Sequence, residues 1–271
     1  MNEAQQQLVS RLQPLIAGVM ANPLRLPGIT CSICTREVQN GDLRCRRCNN
    51  DYESNAVPFE FGPPGYQPSP YRTADLVVPL SYALKGHQAY TDLLQYKDTY
   101  SPSKAALDRL SVLTALFQAC HTWCIDRLVG RLVTDLAILP SLQGRQGLHP
   151  LEEIAQYLPR AWRRIQLAAA PNLPSDSNAR RQTNPAFFHN TENLHGRHVV
   201  LFDDTWVTGG HAQGAALTLR NAGAARVTIL TLGRCLDSSW PETASFIRRF
   251  NLPMKPYDVA VCPVTGGTCP G

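Results

Sequence analysis

Two groups of residues in this chain have side chains and spacings suited to chemistry. The first lies within His198 to Arg234 and consists of Asp203 and Asp204 followed by Thr208, Gly209 and Gly210. Glycines at such a turn let the backbone approach a ligand, Thr208 adds a hydroxyl donor, and a helix opening just beyond presents unpaired amides at the positive end of its dipole. Such a turn cradles a phosphate. Two acids directly before it would repel that phosphate unless they face something else, so they are expected to accept hydrogen bonds from sugar hydroxyls or to help hold a metal ion. Phosphate at one end and hydroxyls at the other describe a ribose 5-phosphate. The second group is Cys31-Ser-Ile-Cys34 and Cys45-Arg-Arg-Cys48, two C-x-x-C hooks separated by ten residues. They can fold back on each other, with Gly41 at the turn, and supply four thiolates to one tetrahedral zinc ion. The metal would hold together a knuckle too small to be stable by burial alone.

The elements that must position the first group can be read from apolar periodicity. Val199 to Phe202 is an unbroken apolar run of strand length. Apolar residues then recur at helical spacing from Ala212 to Asn221, Gly223 is a helix stop, and Val227 to Leu232 is a second buried strand. This parallel strand-helix-strand unit places its polar residues where ligands bind in open α/β sheets. Thr134 to Leu139 is another apolar strand. It ends in Pro140-Ser141 before a Gly- and Arg-containing stretch, and its loop is expected across the sheet's carboxyl edge from Asp203. A short strand over Leu76 to Leu80, a long helix from Ser103 to Leu132 and a helix over Leu151 to Leu158 complete the core. Cys120 and Cys124, one turn apart on the long helix, are expected to pack in that core. Residues 3 to 20 form a short amphipathic helix. The stretch 159–193 carries Arg160, Arg163, Arg164, Arg180 and Arg181. Either a mobile basic loop that folds over a pyrophosphate or an ordinary solvated loop would have this composition. In the tail, Phe246 to Phe250 closes a last helix. Cys262 and Cys269 can pair, bind metal with Cys235 or a histidine, or have no role.

A chain of 271 residues with 44% hydrophobic content can bury one α/β domain plus a small appendage. The expected division is an N-terminal helix and knuckle over 1–54, a Pro-rich linker over 55–72, the main domain over 73–235 and a C-terminal extension over 236–271. The net charge of +5 suits a polyanionic ligand and is too diffuse to argue for nucleic acid by itself. Arg44, Arg46 and Arg47 make the second hook basic, so nucleic-acid contact and packing on the main domain are both open, although the loop lacks interleaved aromatics for base stacking. No apolar run reaches membrane-spanning length, and Met1 to Met20 carries Gln, Glu and Arg in place of a signal-peptide core. A cytoplasmic protein without membrane contact is expected. Nine cysteines, odd in number and clustered, favour metal ligands over disulfides.

The apolar strand, acidic pair and Thr-Gly turn resemble the loop with which type I phosphoribosyltransferases bind phosphoribosyl pyrophosphate. The order of the pieces is similar to the ComF-type competence family of phosphoribosyltransferase-like proteins. That family begins with a four-cysteine zinc knuckle and continues with a Tyr-x-Gly segment leading to a Leu-Lys-Tyr-like motif, which looks like Tyr82 to Lys97. A strand ending in proline follows, then an Arg-Gly-Phe-Asn-Gln stretch aligned with Gln146-Gly147-Leu148-His149-Pro150. An Arg-x-x-Asn-x-x-x-Phe element, close to Arg181, Asn184 and Phe187, precedes the phosphoribosyl loop. The resemblance implies an α/β fold, an open parallel sheet flanked by helices with a small N-terminal zinc knuckle, and binding of phosphoribosyl pyrophosphate with Mg2+. Asp203 and Asp204 would hold the ribose hydroxyls at the reacting centre, and Thr205, Val207, Thr208, Gly209, Gly210 and His211 would surround the 5-phosphate. Ser141 and Arg145 would meet the pyrophosphate. The implied activity is transfer of the phosphoribosyl group to a nitrogen acceptor. The alternative is a nucleotide or phosphoribosyl pyrophosphate sensor whose knuckle and N-terminal helix engage a protein partner, in DNA uptake as the family's name suggests. Val207 stands where many members have Thr or Asp, and His211 where most have Thr or Ser. Gln146 replaces the family's Arg, and His149 and Pro150 replace its Asn and Gln.

Overall fold

A computed structural model describes residues 2–39, 41–54, 73–142, 149–171, 173, 174, 176 and 181–271. The residues expected to form a linker, 55–72, lie outside these. The main sheet is built from β1 (Leu76–Leu84), β2 (Asp135–Ile138), β3 (Arg163–Arg164), β6 (His198–Trp206) and β7 (Arg226–Leu236). Its order is β1-β7-β6-β2-β3, with every pairing parallel. A parallel sheet is covered on both faces, which is why its strands read as continuous apolar runs. Val199, Val200, Leu201 and Phe202 are all fully buried, and they alternate between two cores. Val200 and Phe202 meet Val78, Leu80, Leu230 and Leu232 on one face. Val199 and Leu201 meet Val77, Val227 and Ile229 on the other.

Helix α4 (Lys104–Val129) lies in the first core. Ser103 accepts from the Ala106 amide at its start, and Gly130, at φ +71°, closes its end. It presents Leu110, Leu113, Phe117 and Cys124 to the strands. Helix α6 (Gly210–Asn221) covers the other face through Ala212, Ala215, Ala216 and Leu219. The remaining helices are α1 (Glu3–Leu12), α2 (Arg46–Ser54), α3 (Gln88–Gln95), α5 (Leu151–Ala155) and α7 (Pro241–Phe250).

Several elements differ from the expectations. Strands β1 and β7 run on to Leu84 and Leu236 because they pair with each other along that whole length. Pro79 is accommodated because β1 is an edge strand. The N-terminal helix stops at Leu12 and becomes a 3-10 turn over Gln13–Leu15, which contains Pro14. The stretch 159–193 is not simply a loop: β3 joins the sheet, and β4 (Ala168–Ala169) pairs antiparallel with β5 (Phe188–His189). Arg163 is held there by Asp135 and Glu192, each at 2.7 Å, and Arg164 donates to the Ala155 carbonyl. Arg180 lies outside the described residues. Among the described residues no helix is long and apolar enough to cross a membrane.

The connectivity defines where a ligand can enter. From β6 the chain leads through α6 to β7 on one side, whereas from β2 it leads to β3 on the other. The carboxyl ends of the adjacent strands β2 and β6 therefore flank a topological switch point.

Candidate functional site

A cavity of about 670 Å3 opens at that switch point, lined by the ends of β2 and β6 and the start of α6. Of the residues expected at the site, Ser141, Asp203, Asp204, Thr205, Val207, Thr208, Gly209, Gly210 and His211 all line it. Arg145 lies outside the described residues. Its neighbours in the aligned stretch, Gln146 to Leu148, do too, and His149 lines the cavity.

The turn is built so that only glycine fits. Gly209 has φ +82°, and a Cβ there would lie 2.2 Å from the buried Trp206 ring. At Gly210 a Cβ would fall 1.9 Å from the Arg181 carbonyl oxygen. Helix α6 starts with no side-chain cap, and among the described residues no acceptor is paired with the amides of Thr208, Gly209 and Gly210. Unpaired amides at a helix N-terminus beside a cavity have the chemistry to hold an anion.

The acidic pair has unequal members. Tyr96 donates its hydroxyl to Asp204 Oδ2 at 2.8 Å, and Lys97 Nζ donates to the same oxygen at 2.5 Å. Burial works against the Asp204 carboxylate, but the Lys97 charge and these hydrogen bonds outweigh it and hold Asp204 below the ordinary carboxylate value. Asp203 accepts from the Asp204 amide at 2.8 Å. Burial and the adjacent Asp204 charge push its carboxyl well above the usual range. Lys97 thus matches the Asp204 carboxylate, while burial and the Asp204 charge both disfavour ionisation of Asp203. The two opposed shifts lower the negative charge that the pair presents to the cavity.

Tyr96, Lys97 and Arg234 also shape the site, although little in the sequence marks them. The first two sit just past α3 in the motif stretch that begins at Tyr82, and that motif was their only signal. Arg234 interrupts an apolar strand, itself a sign of buried bonding. It is 3% exposed and donates to the carbonyls of Cys34, Trp206, Val207 and Cys235 at 2.7–3.0 Å. It therefore fastens the cysteine hooks to the backbone of the ligand loop. From the second hook, Arg47 bonds Asp51 and Thr183, and its guanidinium also reaches the Gly210 position. Arg44 stacks over Tyr52. Arg181, of the Arg-Asn-Phe element, lines the cavity, while Asn184 and Phe187 turn and anchor the segment against α6.

Cys31, Cys34, Cys45 and Cys48 converge, with all four sulfurs within 4.8 Å of one another and buried in the core that includes Trp206 and Val77. Gly41, between the hooks, has φ +76°. A second set, His121, Cys124, Cys262 and Cys269, also brings its four donor atoms within 4.8 Å of one another. Cys124 packs in the core as expected and is also a member of this set, whereas Cys235 is not. Both sets have the donor chemistry to hold a metal ion such as zinc.

Fold and site together define an α/β protein with a five-stranded parallel sheet, helices on both faces, a ligand-sized cavity at its switch point and an N-terminal four-cysteine cluster. No protein-family model and no curated protein matches the sequence.

Proposed function

We propose that the cavity binds phosphoribosyl pyrophosphate and that the protein transfers the phosphoribosyl group to a nitrogen nucleophile. The observation that carries this is the meeting, in one cavity, of unpaired amides at Thr208 to Gly210 with an acidic pair whose charge Lys97 has largely neutralised. The amides and the Thr208 hydroxyl receive the 5-phosphate. Asp203 and Asp204 take the ribose hydroxyls. Ser141 and Arg181 line the remaining wall, the hydroxyl as a hydrogen-bond donor and the guanidinium as a countercharge to the pyrophosphate, whose magnesium arrives as part of the substrate. The nucleophile forms its bond to the anomeric carbon as the bond to pyrophosphate breaks, through an oxocarbenium-like state. Fixed donors around the departing oxygens stabilise the charge that develops there. The four-cysteine set would hold a structural zinc ion. The resemblance to ComF-type proteins is the support for a setting in DNA uptake.

One observation favours binding without turnover. Val207 is 57% exposed and turns an apolar side chain to the cavity, offering no carboxylate to an incoming base. A sensor that acts with a protein partner is the second proposal. Incubation with labelled phosphoribosyl pyrophosphate, magnesium and a panel of bases and amines separates the two. Pyrophosphate release supports the transferase, and calorimetric binding without release supports the sensor. The Asp203→Asn, Asp204→Asn double variant is expected to lose binding in either case while remaining folded. Unchanged binding by that variant would remove the proposed site.

A further inference from the structure

The second cysteine and histidine set has the organisation of a built metal site. His121 and Cys124 are three residues apart and so share one face of α4. Both are buried, as is Cys262, and Cys269 completes the set from the far end of the tail loop. The imidazole is oriented from behind. His121 Nε2 lies 2.7 Å from the Val259 carbonyl, which can only accept, so that nitrogen carries the proton. The Nδ1 lone pair is left facing the thiols, with Cys269 Sγ 3.3 Å away. A carbonyl on the outer nitrogen is the usual way a protein fixes the tautomer of a ligating histidine.

The tail holds its two thiols in place by its own hydrogen bonds. The Gly266 amide donates to the Cys262 carbonyl at 2.7 Å, the Cys262 amide to Gly267 at 2.8 Å, and the Thr265 hydroxyl to Thr268 at 2.7 Å. Gly266 makes the turn at φ +82°, and a Cβ there would strike Arg25 at 2.5 Å. The tail before this loop is anchored by Tyr257, whose amide donates to Ala17, and by Val259, whose amide donates to Gln13. A disulfide would use two of the three sulfurs and leave the third thiol and the oriented imidazole without purpose. One tetrahedral ion uses all four.

We propose that His121, Cys124, Cys262 and Cys269 bind a second zinc ion, separate from the four-cysteine knuckle, which clamps the C-terminal segment to α4. On binding, three S–H bonds break and three protons pass to solvent as three Zn–S bonds and one Zn–N bond form, with no change of oxidation state. The full-length protein, purified with zinc supplied and analysed by elemental mass spectrometry, should contain two zinc ions per chain. X-ray absorption should give sulfur and nitrogen ligands in a seven-to-one ratio, as the two sets together require. The Cys262→Ser, Cys269→Ser variant should retain one zinc ion with an all-sulfur shell. A wild-type content of one zinc ion that the Cys31→Ser, Cys45→Ser variant removes would overturn the proposal, as would a second ion that survives the tail substitutions. Alkylation of the wild-type chain needs no variant. Cys124, Cys262 and Cys269 should be protected when zinc is bound and labelled once it is stripped by chelator, and equal labelling of Cys262 and Cys269 in both states would equally overturn it.

Discussion

Replacing Lys97 by methionine removes the cation that matches Asp204 while keeping the length and apolar stem of the side chain. The charged atoms lie 2.5 Å apart, so at an effective dielectric of about 20 their attraction is about 7 kcal/mol. Desolvation offsets most of this. The Lys97 and Asp204 side chains are 29% and 12% exposed, so water partly compensates whichever partner remains. The expected cost is therefore about 2–3 kcal/mol, below the roughly 3–5 kcal/mol for breaking a fully buried pair. Urea unfolding of wild type, Lys97→Met, Asp204→Asn and the double variant measures it. In the Asp204→Asn background the lysine substitution should cost no more than about 0.5 kcal/mol, because the charge it served is gone. A loss below about 0.5 kcal/mol in the wild-type background, or equal losses in both backgrounds, would refute the claim that Lys97 neutralises the pair.

Gly209→Ala should destabilise by about 2–5 kcal/mol, combining roughly 1–2 kcal/mol for a left-handed non-glycine residue with roughly 1–3 kcal/mol for overlap with Trp206. A melting temperature equal to wild type would count against the turn as described. Arg234→Met leaves the carbonyls of Cys34, Trp206 and Val207 without this donor, and a loss of about 3 kcal/mol or more is expected at roughly 1–3 kcal/mol per buried group. Chelator should also strip metal from this variant at lower concentration, and unchanged stripping would contradict the coupling between hooks and loop. His198 is fully buried and bonded to the Arg131 carbonyl and to Thr228. Burial lowers its pKa from 6.5 to about 4, against the opposing pull of the Arg131 carbonyl. Between those values the unfolded chain binds more protons. The contribution, about 3 kcal/mol, is therefore complete above pH 6.5 and lost as pH falls through about 4. His198→Gln should flatten that acid limb, and an unchanged limb would rule the assignment out.

The parts of the fold visible in the sequence are those whose signal is local. Val199 to Phe202 reads as a doubly covered strand because the run is apolar throughout, and Gly209 marks the turn because its backbone conformation excludes other residues. What remained hidden depends on distant partners. The full length of β1 follows from its pairing with β7, and Asp204's neutral surroundings depend on Tyr96 and Lys97, more than a hundred residues away in sequence. The two-residue strands within 159–193 are too short to carry a period. On α4, Cys124 looks like any core cysteine until the tail brings Cys262 and Cys269 against it.

The central claim is that the amides of Thr208, Gly209 and Gly210 receive the phosphate of a ribose 5-phosphate. Titration of 15N-labelled protein with ribose 5-phosphate, followed by amide chemical shifts, tests it directly. Saturable shifts of these three resonances, abolished by Asp203→Asn, Asp204→Asn, are predicted. Shifts confined to other residues, or none at concentrations where binding is detected by calorimetry, would contradict it.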